Sequence, residues 1–126
     1  MVRRILTFAS IITPLLILPA TAFAETLQSE LLAMGAEDQA ILKDNSKSQA
    51  EQEAVFQAHT ARLKALVKAN GWPHLSLVGA EASQAAWLLV QHADTDRSWQ
   101  REALEQMEAL ADYAAMAADY MCKPPK

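Results

Sequence analysis

The residues best suited to chemistry lie near the end of the third predicted helix, where Gln91, His92 and Asp94 are close neighbours. One face of that helix carries polar and apolar residues at helical spacing: Glu81, Gln84, Leu88 and His92. Imidazole exchanges a proton near neutral pH, so His92 is a candidate catalytic acid or base whose ring Asp94 or Glu81 would orient. The alternative is that His92 only caps the helix and interacts favourably with its dipole.

Arg62 is the candidate for binding an anionic group, together with Glu81 and Gln91 as further binding residues. It lies on the side of the second predicted helix that also carries Val55, His59 and Leu66. An arginine near a core usually pairs with a carboxylate, because an unpaired buried charge is costly. The expected partner is Asp94 or Glu81. The alternative is a side chain that only extends along the apolar edge.

No metal site and no cofactor are predicted. His59, His74 and His92 offer nitrogen ligands, but they lie on three different elements and form no H-x-x-x-H or H-E-x-x-H pair. The acidic positions after Asp94 resemble a calcium loop, yet Trp99 replaces the glycine that such a loop needs. Serine hydrolase chemistry is not indicated either, since Ser83 has no nucleophile-elbow context.

Four helices with one core must position these residues, so the predicted fold is all-α, a small compact bundle. Apolar periodicity predicts helices over residues 26–43, 48–69, 80–93 and 97–121. Ser48 and Glu51 form a capping box, Gly71 ends the second helix, and Asp96 is the N-cap of the fourth. Residues 71–79 form a connector. The third helix is apolar on most faces, which predicts the buried central position, with Trp72 and Trp87 in the core.

Residues 1–24 are interpreted as a cleavable signal peptide, followed by a single helical domain over residues 25–126. Arg3 and Arg4 precede an apolar stretch, and Ala22 and Ala24 form the A-x-A pattern before the cleavage point. The apolar stretch is too short for a typical membrane span and contains proline. We therefore expect a bacterial periplasmic or secreted protein with no stable membrane anchor after cleavage. The segment should make few contacts with the core.

Charge and cysteine content restrict the partners. The chain has a net charge of −4, and loss of Arg3 and Arg4 would make it two units more negative. Nucleic acid is therefore not an expected partner, because it needs clustered basic residues. A protein or a small molecule is the expected ligand. Cys122 is the only cysteine, so it is predicted to be a small apolar side chain or to bridge two copies.

Several short motifs over about residues 32–110 resemble an uncharacterised bacterial family, domain of unknown function 6624. They are Arg62-Leu63-Lys64, Gly71-Trp72-Pro73, Ser76-Leu77-Val78-Gly79, Ala82-Ser83, Ala86-Trp87 and Leu88-Leu89-Val90-Gln91-His92-Ala93-Asp94. The resemblance implies a small helical domain, sometimes exported, without an assignable activity. It emphasises six positions: Gly71, Pro73, Gly79, Gln91, His92 and Asp94.

The chain departs from that family at its end. Members typically continue into a helix with an Asp-Arg pair and a Tyr-Gly-Thr-Gln ending, and residues 113–126 contain neither. We therefore expect a non-catalytic envelope binding or interaction module, or a degenerate family member. The alternative is a small hydrolase-like enzyme with a polar site centred on His92, with Asp94 orienting the ring and Arg62 binding an anion.

Overall fold

The computed structural model describes residues 20–121, and the side chains of residues 22–111. Five helices follow one another in this part of the chain: α1 Ala20–Lys43, α2 Gln49–Asn70, α3 Leu75–Val78, α4 Ala80–Gln91 and α5 Arg97–Met121. No strand occurs among these residues. The all-α prediction is confirmed, with one addition. The predicted connector over residues 71–79 contains the short helix α3.

The ends of the longer helices follow the predicted capping signals. Ser48 accepts a hydrogen bond from the backbone N–H of Glu51, whose carboxylate accepts from the Ser48 N–H, so the capping box is present. Asp96 accepts from the backbone N–H of Trp99 at 3.1 Å, as an N-cap does. Gly71 closes α2 at φ 77° and ψ −177°, a combination open almost only to glycine, although not the left-handed helical conformation predicted for it.

Helix α4 occupies the centre of the fold, as its composition predicts, and contacts each of the other four helices. Its main partner is α1, and small residues let the two helices approach closely. A Cβ added at Gly35 would lie 2.9 Å from the Cβ of Ala85. The core around this contact is mostly aliphatic, with two tryptophans: Leu27, Leu31, Met34, Leu63, Val67, Trp72, Val78, Ala82, Ala86, Leu89, Val90, Ala93, Trp99 and Ala103.

The prediction that Trp87 lies in the core is wrong. Trp72 is buried, but the Trp87 side chain is 46% exposed. Helix α4 packs mainly against α1, whereas the four-residue helix α3 and α5 contact it less and border a groove beside Trp87. Leu42 of α1 and Leu104 of α5 are also exposed.

Most of the predicted signal peptide, residues 1–19, lies outside the described residues, and so does Cys122. The predicted cleavage point after Ala24 falls within α1, before Leu27, the first of the core residues. Among the residues that the structure describes, no helix is both long enough and apolar enough to cross a membrane.

Candidate functional site

A buried carboxylate, Asp38 of α1, lies at the centre of the polar site. It has no solvent exposure, and its Oδ2 lies 2.7 Å from Nδ1 of His92 at the end of α4. Burying an aspartate among apolar side chains is costly unless it is paired and hydrogen-bonded. This pair therefore joins α1 to α4 through one strong polar contact.

His59 of α2 lies on the other side of the same carboxylate. Its Nε2 is 3.1 Å from Oε2 of Glu37, and its Nδ1 is 3.9 Å from Oδ1 of Asp38. His59 Nδ1 and Asp38 Oδ1 are both buried and have no hydrogen-bond partner in the described part of the chain. Asp38 thus lies between one imidazole from α2 and another from α4, and it is hydrogen-bonded to the one from α4.

His92 is the more accessible of the two histidines, with 24% of its side chain exposed and its ring 4.9 Å from that of Phe56. Because Nδ1 faces Asp38, Nε2 is the ring nitrogen left for a ligand or a proton transfer. A carboxylate that orients a histidine in this way is the arrangement found behind many catalytic bases. The chemistry expected of His92 is therefore available to it.

The partners expected for His92 and Arg62 are wrong. Asp38, and not Asp94 or Glu81, is the carboxylate that orients the His92 ring. Arg62 pairs with Glu30 of α1 through its Nε and, at 3.0 Å, its Nη2. These hydrogen bonds raise the pKa of Arg62 further. The pair lies at the exposed surface between α1 and α2, beside His59.

A groove of about 430 Å³ separates the exposed edges of α1 and α4. Its walls bring together residues from both helices: Leu32, Gly35, Ala36, Gln39, Glu81, Gln84, Ala85, Trp87 and Leu88. Glu81, Gln84 and Leu88 share this wall, as their spacing predicts. We call this the α1–α4 groove.

Gln39 connects the α1–α4 groove to the histidine pair. Its side-chain amide lines the groove and donates to Oδ2 of Asp38 at 3.3 Å. His92 does not line the groove, but it follows Leu88 by one helical turn. Gln39 is therefore the side chain that links the α1–α4 groove to the Asp38–His92 pair.

A second groove, of about 470 Å³, lies on the other side of Trp87, between α3, α4 and α5. Its walls are formed by Trp72, His74, Leu75, Ala80, Ser83, Gln84, Trp87, Met107 and Leu110. We call it the α3–α5 groove. His74 is the only side chain in this list that can carry a charge near neutral pH, and it does so only when its imidazole is protonated. Gln84 and Trp87 line both grooves, so they form the ridge between them.

The remaining predicted site residues lie elsewhere. Asp94 is exposed and lines neither groove. Gln91 is exposed too, and its backbone carbonyl accepts from the Gln100 amide at 3.3 Å. No group of three or more metal-ligating side chains suitable for a metal ion occurs among the residues that the structure describes.

No family model, curated protein or solved structure matches this chain. The proposed site therefore rests on its own geometry, and the resemblance to domain of unknown function 6624 stays a prediction.

Sequence reasoning missed Asp38, although a signal was present. Asp38 continues the buried stripe of Leu27, Leu31 and Met34 along α1, at a position where an apolar residue is expected. A charged residue at a core position needs a partner. That requirement could have identified Asp38 but not its partner.

Proposed function

We propose that this protein is an exported binding domain that holds a small molecule or a short chain segment in the α1–α4 groove. The observation that carries the proposal is Gln39, which lines the groove and also donates to Asp38, the residue that orients His92. Glu81, Gln84 and Gln39 supply polar groups along an otherwise largely apolar surface, a composition typical of ligand sites.

Binding is favoured over catalysis by what the groove wall contains. Among the described residues that line it, Glu81 is the only one that could act as a nucleophile, and none is a serine, threonine, cysteine or lysine. His92 does not line the groove and Gln39 does. A bound molecule would therefore contact Gln39 rather than His92. Asp38 and His92 then act chiefly to fix Gln39 and the ends of two helices.

Export is the second part of the proposal, and it rests on the signal-peptide pattern of residues 1–24. Cleavage after Ala24 would leave all of the groove residues in the mature chain, because the first of them is Leu32. If the predicted resemblance to domain of unknown function 6624 is real, this chain is a divergent member of that family.

The test uses Trp87, which lines the groove, as the reporter. The purified protein is labelled with 5-fluorotryptophan, and its three ¹⁹F resonances are assigned with Trp72→Phe, Trp87→Phe and Trp99→Phe. Neutral, anionic and cationic small molecules are then added class by class. We expect at least one class to shift the Trp87 resonance saturably and to leave Trp99, which is buried and lines neither groove, nearly unchanged.

Two alanines of α1 provide a matched pair of variants. Ala36 is exposed and lines the α1–α4 groove, whereas Ala33 is exposed and does not. Ala36→Trp should fill the groove and weaken binding at least tenfold, while Ala33→Trp leaves it unchanged. Equal binding by both variants, or no shift of Trp87 with any class, contradicts the proposal.

One contact supports the hydrolase-like alternative: Nδ1 of His92 lies 2.7 Å from Oδ2 of the buried Asp38. With Nε2 directed away from Asp38, His92 could activate a water molecule as a general base. Compounds that shift Trp87 would be incubated with the protein and followed by mass spectrometry. Cleavage that His92→Gln abolishes without weakening binding would establish catalysis, and recovery of intact compounds would rule it out for those compounds.

A further inference from the structure

The ridge between the two grooves indicates what kind of molecule binds. Trp87 and Gln84 line both the α1–α4 groove and the α3–α5 groove, so the two grooves form one continuous surface across α4. Resting on the proposed function, we infer that the ligand is an uncharged oligosaccharide that crosses α4, with one sugar ring stacked on Trp87.

Charge is the first argument for an uncharged ligand. Among the described residues, no lysine or arginine lines either groove, and Glu81 is the only acidic one. Phosphate and carboxylate ligands are usually held by arginine or lysine. The surface therefore disfavours nucleotides, phospholipid headgroups and acidic polysaccharides.

The polar side chains along the surface match hydroxyl groups. Gln39, Gln84 and Ser83 each offer both a donor and an acceptor, and so does the neutral imidazole of His74. A sugar hydroxyl also donates and accepts. A surface that alternates such groups with apolar side chains can therefore bind the two faces of a sugar chain.

Trp87 supplies the apolar contact that a sugar ring needs. It is the one tryptophan of three that is exposed, since Trp72 and Trp99 are buried. One face of a pyranose ring presents mainly C–H groups, which pack well against a flat indole. Leaving so large an apolar side chain in water forgoes its burial, which a bound ring would restore.

An extended peptide is a poorer match for the same surface. A peptide that binds by strand addition pairs its backbone with the edge of a sheet, and the described residues contain no strand. A sugar chain makes no such demand. Because a helix with its side chains is about 10 Å across, a ligand that reaches both grooves must be about that long. This length requires an oligosaccharide and excludes a monosaccharide as the full ligand.

Neutral hexasaccharides of N-acetylglucosamine, β-1,4-glucose and α-1,4-glucose are titrated into the fluorotryptophan-labelled protein and, unlabelled, in a calorimeter. We expect at least one to shift Trp87 saturably and to bind at least tenfold more tightly than its monosaccharide. Trp87→Ala should weaken that binding at least tenfold, and Trp87→Phe less, because phenylalanine keeps a stacking ring. Leu104→Ala should not change it, since Leu104 is equally exposed and lines neither groove.

A variant in the α3–α5 groove tests whether the ligand crosses α4. Ala80 is exposed and lines only that groove. Ala80→Trp should weaken binding of the hexasaccharide at least fivefold and leave binding of the monosaccharide unchanged. The circular dichroism melting curve of each variant verifies that it is folded.

The two proposals fail in different ways. If a charged class shifts Trp87 and the neutral hexasaccharides do not, the oligosaccharide inference is overturned and the binding domain stands. If no compound shifts Trp87, both are overturned. Hexasaccharide binding that Trp87→Ala leaves unchanged also overturns the inference.

Discussion

Asp38 and His92 are 54 residues apart in the chain, yet Oδ2 of the carboxylate lies 2.7 Å from Nδ1 of the imidazole. The pair forms where α1 and α4 meet, and His59 of α2 approaches the other carboxylate oxygen. One fully buried side chain therefore meets polar groups from two other helices, and several consequences can be measured.

Asp38→Asn should lower the free energy of unfolding by about 1–3 kcal/mol, because it weakens the buried hydrogen bonds that join this side chain to His92 and Gln39. Urea unfolding followed by circular dichroism measures the change. The control is Glu25→Gln at an exposed position of α1, which should cost no more than about 0.5 kcal/mol. Equal losses in the two variants would contradict the role given to Asp38.

His92→Gln combined with Asp38→Asn should show coupling of about 1 kcal/mol or more in a double-mutant cycle, because the two side chains are in direct contact. The four proteins are compared by urea unfolding under one buffer condition. His92→Gln combined with Arg62→Gln is the control, since Arg62 pairs with Glu30 instead. Additive effects in the Asp38 cycle would show that the contact has no energetic role.

Gly35→Ala should destabilise the fold by about 1–3 kcal/mol, because the added Cβ meets the Cβ of Ala85 at 2.9 Å. Adding Ala85→Gly to that variant removes the clash. The double variant should then be more stable than the sum of the two single changes predicts, by about 1 kcal/mol. The test is thermal unfolding of the wild type, the two single variants and the double variant. A double variant whose stability equals the sum of the two single changes would contradict the close approach of Gly35 to Ala85.

Asp96 should make the stability depend on acid pH. A hydrogen bond from Lys64, with others from the backbone N–H of Trp99 and the Ser98 hydroxyl, lowers the pKa of Asp96 from 3.8 to about 2. The folded state therefore binds this proton less readily than the unfolded state does. The resulting stabilisation is present above pH 3.8 and disappears as the pH falls through 2.

Melting temperatures of the wild type and Asp96→Asn across this pH range test whether the stabilisation by Asp96 is lost in acid. The difference between them should be largest near neutral pH and should shrink as the pH approaches 2. The neighbouring Asp94 is exposed, and Asp94→Asn is the control, for which no such trend is expected. A difference for Asp96→Asn that grew in acid would contradict the assignment.

Trp87 should account for most of the fluorescence that acrylamide can quench, because the other two tryptophans are buried. Trp87→Phe should remove the quenchable fraction and shift the emission maximum to shorter wavelength. Trp99→Phe removes a buried tryptophan instead, so it should raise the fraction of the fluorescence that acrylamide can quench. Unchanged quenching in Trp87→Phe would mean that this indole is covered in solution.

The sequence predicted local features well, because each depends on neighbours along the chain. The capping box of Ser48 and Glu51 and the N-cap at Asp96 are decided within four residues, and both are confirmed. Periodicity alone also placed Glu81, Gln84 and Leu88 on one wall of a groove.

What the sequence could not supply is which distant residue meets which. Helical spacing placed His92 near Asp94 and Glu81, whereas the carboxylate that meets it comes from α1. Trp87 was expected in the core because α4 is apolar on most sides. How much of a helix its neighbours cover depends on their lengths and crossing angles, and no local pattern encodes these.

The position of Asp38 between three helices also bears on the time course of folding. Because α2 and α4 both cover this carboxylate in the folded state, we expect it to lose its water late in folding, after both helices have docked on α1. Interactions that form after the folding barrier slow unfolding and leave the folding rate nearly unchanged. In stopped-flow measurements, Asp38→Asn should therefore raise the unfolding rate and hardly alter refolding. The buried carboxylate would then set how long the folded state persists rather than how fast it forms.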